Sequence, residues 1–422
     1  MRKFLLSGLI LGASLATFAT EEKLIIVDEG SWQADNGRLS YFEDGRMISN
    51  EWFRETNGYK LGDNPCDIIA VKENLIAIAV RGSNLIQFIN EKGEAIAAVE
   101  DLPNIRCMAT DGRYIYVTSY AHECQTASGK LTFTKGYVAK IDTEGFSVVS
   151  ACEVGYEPEG IALYNGHLFV ANSGGYSFQE DHDYESTIYL LDPSEMKKTG
   201  EIETNRLNLY GRISQSGKYL CLNSAGNYYD VAGCGLVIDC EKALTNPGES
   251  FASIPYLATY NTTAKDNKFL AIGSEYSFTE GGYIYTCLTI DAPSVIESKG
   301  ESGYSTSLPG TMAQDIEKMT SPYGIYMNPF TGMLYATDAG SYGSAGKLYQ
   351  WSPDGKLIGE YPAYINPGWF LALRPDSYQD SVEAIEAGSE DSDTPVYDLF
   401  GRRVAAMEKG HIYIKGGRKI IL

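Results

Sequence analysis

Positive charge is scarce in this chain. Lysine and arginine number 34 against 55 aspartates and glutamates, for a net charge of −21. A field of that sign repels nucleic acid and anionic membrane surfaces, so no nucleic-acid partner is expected. Long apolar runs are also missing. Beyond residues 1–20 no stretch is apolar and long enough to cross a bilayer as a helix. Histidine occurs four times; His122 and His182 fall in long loop segments, and no paired histidine offers a general base. No cysteine follows the apolar start, so an N-terminal lipid anchor is not expected.

What the chain has is one phrase said repeatedly. LFVANSGG begins at Leu168, and IIVDEGSW (Ile25), IAVRGSN (Ile78), IYVTSYA (Ile115), LCLNSAGN (Leu220), LAIGSEY (Leu270) and LYATDAGS (Leu334) echo it. Each is a short apolar β-type run ending in a Gly/Ser/Asn/Tyr cluster. A roughly fifty-residue period of such units points to a propeller. The clearest copy, Pro158 to Thr204, holds four runs, PEGIAL, HLFVAN, TIYLLD and TGEIET, separated by Gly, Asn, Asp and Pro. That is one four-stranded antiparallel blade. The N-terminus enters at a second strand, Leu24 to Val27, while the last first-strand phrase, from Pro367, has no second strand after it. Pairing Trp369 to Leu373 beside Leu24 to Val27 closes a ring of seven and removes the open sheet edges. The expected fold is therefore all-β: a seven-bladed β-propeller of four-stranded antiparallel blades, closed by N- and C-terminal strands, plus a short C-terminal β tail. The sixth blade is the weakest, with Ser294 to Met319 reading as a long polar insert.

Residues 1–20 read as a secretory signal. Arg2 and Lys3 precede an apolar core, Phe4 to Leu15, and Ala16-Thr17-Phe18-Ala19 offers a cleavage site. Residues 21–376 form the propeller, 377–394 an acidic, Ser-rich linker, and 395–422 a basic strand-like tail. Eight cysteines in an exported chain allow disulfides, but their order fixes no pairing, and buried free thiols are the alternative.

In a four-stranded blade, the loop after strand two and the loop into strand one open on the same face. The second-strand phrases deliver Trp32, Asn84, Tyr120, Asn172, Tyr176, Asn227, Tyr228, Tyr229, Tyr276 and Tyr342 to that side, and the entry loops add Tyr323 and Trp369. Tyrosine is abundant, 31 against 15 phenylalanines, and its flat face and hydroxyl suit wet binding surfaces. The expectation is a wide ligand face with few charges. A second reading is a calcium-dependent, lactonase-like hydrolase. Asp28, Asn172, Asn223 and Asp338 stand at second-strand ends and offer oxygen ligands of the kind calcium takes, but no full set of inward acids and bases accompanies them. The loop Ser173 to Ser186 places His182 among acidic residues, which reads as a solvated run or a metal site. A third reading is a cell-surface scaffold for protein or glycan interaction.

The phrases VDEGSW, NGRLSYF, NGYKLGDNPCDI, YIYVTSYA, KGYVAKIDT, VGYEPEGIAL, LFVANSGGY and SAGNYYD resemble the YVTN/YncE-like surface propellers of Gram-negative gut anaerobes. The resemblance is strong from Leu24 to Asp239 and looser to Asp376. Its nearest understood branch binds cobalamin and hands it to an outer-membrane TonB-dependent transporter. The resemblance thus implies a non-enzymatic, exported, monomeric propeller that captures a cobamide, needs no cofactor and has such a transporter as partner. The tail, PVYDLFGRRV and KGHIYIKGGRKIIL, resembles the C-terminal sorting tails of surface and secreted proteins in the same bacteria, with His411 interrupting the usual Gly-Ile-Tyr. That resemblance implies export past the outer membrane.

Overall fold

A computed structural model describes residues 21–122, 133–176, 182–255, 258–277 and 281–375, and the strand pieces Val396–Asp398, Arg403–Val404, Ile412–Lys415 and Arg418–Ile421. The signal segment 1–20, the linker 377–394 and Cys124 lie outside the described residues. Two compact units divide the chain, Met1–Leu373 and Arg374–Leu422.

The first unit is a ring of seven four-stranded antiparallel sheets. Blade 4 shows how sequence makes a blade. Its strands are Pro158–Tyr164, His167–Asn172, Thr187–Asp192 and Lys197–Glu203. Asn165 and Gly166, at φ 46° and 77°, turn the first hairpin, with Tyr164 opposite His167. Two successive left-handed residues match the twist of paired strands, and Asn-Gly adopts them at least cost.

Second strands are apolar throughout because both of their faces are covered. In Lys23–Asp28, Leu24 and Ile26 pack toward blade 7, while Ile25 and Val27 pack toward blade 2. Strand period two sends alternate residues to opposite neighbours. The same division recurs around the ring, so each of the seven blade-to-blade interfaces holds its own apolar cluster. Each fully buried Ile, Leu or Phe contributes about 2–3 kcal/mol.

Closure follows the expected register. Leu24 pairs with Ala372, Ile25 with Leu371, Ile26 with Phe370 and Val27 with Trp369, all antiparallel. The last inner strand, Pro367–Ala372, therefore completes blade 1. The insert of blade 6 corrects the expectation of a polar loop. It folds into two short helices, Ala292–Glu297 and Met312–Ile316, around a two-residue fourth strand, Tyr304–Ser305. Val295, Met312 and Ile316 are fully buried there. They are spaced among Ser, Gly and charged residues, which masked their periodicity. The seven cysteines among the described residues are free thiols. The second unit is a small four-stranded sheet, with Val396–Asp398 between Arg403–Val404 and Ile412–Lys415, and Arg418–Ile421 outermost.

Candidate functional site

The inner strands line a central channel. Toward one end it widens into a cavity of about 410 Å³ bordered by residues of all seven. At the other end, the face with the second-strand loops, one backbone bond recurs. In six of the seven blades, the residue that starts the turn into the inner strand accepts, through its carbonyl, the N–H of the residue after strand two. The pairs are Glu29 to Asn366, Arg81 to Asn64, Tyr120 to Asn104, Ser173 to Glu157, Ala225 to Asn208 and Ala339 to Ser321. Five of these acceptors have positive φ, and four of the five are asparagine, the non-glycine residue that tolerates this region best. Most inner strands then carry a register shift near their start, as between Ile105 and Met108 or Pro158 and Ile161. A bulge of this kind re-aims side chains, here Arg106 and Glu159, into the mouth of the channel.

These repeats converge on a pit lined by Glu29, Arg81, Arg106, Glu159, Arg212 and Trp369, among others. It opens into a cleft of about 390 Å³ that shares Arg81, Arg106 and Tyr210 with the pit. Trp32, Tyr120, Tyr176 and Tyr228 wall the cleft. Arg106 holds Glu159 at 3.1 Å, and Glu159 also accepts from the Tyr120 hydroxyl. Arg212 lies 3.3 Å from Asp67, which accepts from the N–H groups of Ile68 and Met108. Arg81 donates to Asn64 and faces the Trp32 ring at 5.4 Å. Burial and then Arg106 oppose the charge on Arg81, but Glu29, Cys66 and Tyr210 together outweigh them, so the guanidinium is held above its ordinary value. Burial also pushes the Glu29 carboxyl up, against the pull of Arg81 and the hydrogen bonds from Tyr323 and Trp369. Asn208 completes the wall. It is 1% exposed, and among the described residues its Oδ1 has no hydrogen-bond partner.

Some of the residues expected on the second-strand face line one cleft there, and its floor is charged rather than poor in charge. Of the expected residues, Trp32, Tyr120, Tyr176 and Tyr228 reach the cleft. Tyr323 and Trp369 lie deeper, in the pit, both bonded to Glu29 Oε1. Tyr342 packs edge-on against Tyr323, outside the cleft. Tyr229 is exposed and does not line the cleft. Asn84 and Asn227 serve their turns: Asn84 accepts from Asn104 N, and Asn227 from the N–H groups of Tyr229, Asp230 and Val231. Tyr276 pairs in register with Tyr283, and its side chain lies outside the described residues.

The residues read for calcium are occupied locally. Asp28 is bonded to Ser40 and Tyr364 N, and Asn172 to Gly155 N and Thr187. Asp338 caps Thr320, Ser321 and Gly340, while Asn223 is buried in its own strand. No group of three or more His, Cys, Asp or Glu suited to a metal occurs among the described residues.

Two histidines do come together, which separate loops in the sequence concealed. His182 Nε2 lies 2.6 Å from Glu157 Oε2, and His122 Nε2 lies 3.7 Å from Oε1. Glu157 is fully buried and sits at φ 42°, where four sister turns use asparagine: Asn64, Asn104, Asn208 and Asn366. His182 stacks on Tyr156 at 4.0 Å, and His122 touches Tyr120 and Tyr176. The trio thus braces the aromatic wall from behind.

No protein-family model matches the chain, and no curated protein matches its sequence. Solved structures do. Hydrazine synthase from Kuenenia stuttgartiensis superposes with a TM-score of 0.53 at 13% identity, covering 74% of this chain and 96% of that one. A quinonprotein alcohol dehydrogenase-like protein from Bacteroides thetaiotaomicron superposes with a TM-score of 0.53 at 10% identity, covering 83% of this chain and 77% of that one. The chain is a β-propeller, as they are. Identities this low speak to fold alone, since one fold hosts many activities.

Proposed function

We propose that this chain is an exported, non-enzymatic propeller that captures a large ligand on its second-strand face, with a cobamide as the leading ligand. The observation that carries the reading is the cleft of about 390 Å³ walled by Trp32, Tyr120, Tyr176 and Tyr228. Trp32 and Tyr228 are 45% and 72% exposed. Such rings present broad apolar planes to solvent at small entropic cost and are enriched where proteins bind. A corrinoid is a wide, amide-fringed macrocycle. It could lie across the rim, with its amides reaching polar groups such as Asn208. The sequence resemblance supports the same ligand, and with it delivery to a TonB-dependent transporter at the outer membrane. The experiment is gel filtration of the protein with excess cyanocobalamin. Co-elution of the corrin absorbance with a monomeric protein peak supports capture. Full separation of colour from protein removes the cobamide.

A further inference from the structure

We propose that Asn104 and Asn208, on the wall of the cleft, form a recognition site for uncharged carboxamide groups of the captured ligand. The inference rests on the second-strand face being the ligand site and names the chemistry read there.

A comparison of equivalent positions carries it. Asn64, Asn104, Asn208 and Asn366 hold the same slot in four blades, each at positive φ at the turn into an inner strand. That conformation explains why asparagine stands at all four. It does not dictate what the side chains do. In two of them the protein anchors the carboxamide: Asn64 accepts from Arg81, and Asn366 donates to the carbonyls of Gly30 and Tyr342. The other two bond through their backbones alone among the described residues. Asn104 meets Asn84 Oδ1 and Tyr120 N, and Asn208 meets the Glu185 carbonyl and Ala225 N. These two, and not Asn64 or Asn366, line the cleft. They are 2% and 1% exposed, and a buried polar group without a partner is rare. Gly175, on the same wall, brings no side chain over Asn208 Oδ1; a Cβ there would stand 3.9 Å from it.

The ligand's chemistry follows from these side chains. Asn208 Oδ1 needs a donor, which an anion lacks. A cationic donor would meet Arg81 and Arg106 on the same cleft. An uncharged carboxamide presents a donor and an acceptor side by side, so it matches asparagine whichever way the amide is turned. Two such residues on one cleft suit a ligand carrying several carboxamides. Folding has already desolvated Oδ1, so binding gains the hydrogen bond without that cost.

The test is calorimetric titration of the full-chain protein with cyanocobalamin, whose corrin ring is fringed with carboxamides. The variants are Asn104→Gly, Asn208→Gly, the two combined, and Asn366→Gly. Glycine keeps the positive φ and removes the carboxamide, and circular dichroism checks the fold. Asn366→Gly makes the same backbone change outside the cleft. The proposal expects Asn104→Gly and Asn208→Gly each to weaken binding roughly fivefold, the combination to weaken it further, and Asn366→Gly to leave it unchanged. Wild-type affinity in the combined variant overturns the site, with water then the partner of both groups, and leaves the cobamide reading intact. An equal loss in Asn366→Gly also overturns it, tracing the effect to the turns. If the wild type binds no cyanocobalamin, the cobamide reading fails and thermal unfolding decides, with millimolar chitotriose, an acetamide-bearing sugar, and cellotriose, which has hydroxyls and no amide. Protection by chitotriose alone, lost in the combined variant, sustains the carboxamide site. Any other pattern overturns it.

Discussion

Arg106 of blade 3 reaches across the channel mouth to Glu159 of blade 4, with its guanidinium 3.1 Å from the carboxylate. The side chains are 11% and 2% exposed, so the pair is shielded from solvent and joins two blades at the floor of the cleft. Removing one partner leaves a buried charge without its counterion. Glu159→Gln is therefore expected to destabilise the propeller by about 3 kcal/mol in urea unfolding. Replacing both residues with leucine should recover much of that loss. A Glu159→Gln protein as stable as wild type contradicts the role given to the pair.

Asp28 makes stability depend on pH. Burial pushes its carboxyl up to about 7, against hydrogen bonds from Ser40 and Tyr364 N and the charge of Arg38. The folded state thus holds this proton more tightly than the unfolded chain, which releases it near about 4. Stability is fully present below about 4 and is lost as pH rises through about 7, by on the order of 4 kcal/mol. In Asp28→Asn the new amide can donate to Ser40, leaving Ser40 to donate to Asn50 Oδ1 3.0 Å away. This variant is expected to raise the denaturation midpoint at about pH 8 and to change it little at about pH 4.5. Equal effects at both pH values count against a buried, protonated Asp28.

Tyr176 and Tyr228 test the wall. Tyr228 is 72% exposed, and its truncation should leave stability within about 0.5 kcal/mol. Changing both residues to alanine is expected to weaken cyanocobalamin binding roughly tenfold or more without unfolding the protein, Tyr176 giving up some packing against His122 and Tyr120. Unchanged affinity removes the wall from the site.

Closure can be tested by deletion. Removing residues 369–422 takes away the partners of Leu24 to Val27 and opens an apolar edge. Aggregation or loss of cooperative unfolding is expected. A stable, monomeric truncation contradicts closure as the source of cooperativity.

Much of this fold is legible in the sequence because propeller second strands, covered on both faces, are written as bare apolar runs. The offset between Leu24 and Pro367 likewise revealed closure, since only a ring reunites a lone second strand with a lone first strand. The aromatic wall was legible too, as Gly-rich clusters bearing Trp32, Tyr120, Tyr176 and Tyr228. The charged floor was not. Arg81 and Arg106 each look like an ordinary polar residue at a strand end, and their meeting depends on blades packing side by side. A signal was present nonetheless: Glu29, Arg81 and Tyr120 hold the same slot after strand two. His122 and His182 were hidden for a similar reason, since two loops of different blades bring them to Glu157.

The most direct test is calorimetric titration of the wild-type protein with cyanocobalamin. The account predicts saturable one-to-one binding with a thermal shift that rises with ligand concentration. No heat and no thermal shift across millimolar ligand would contradict it.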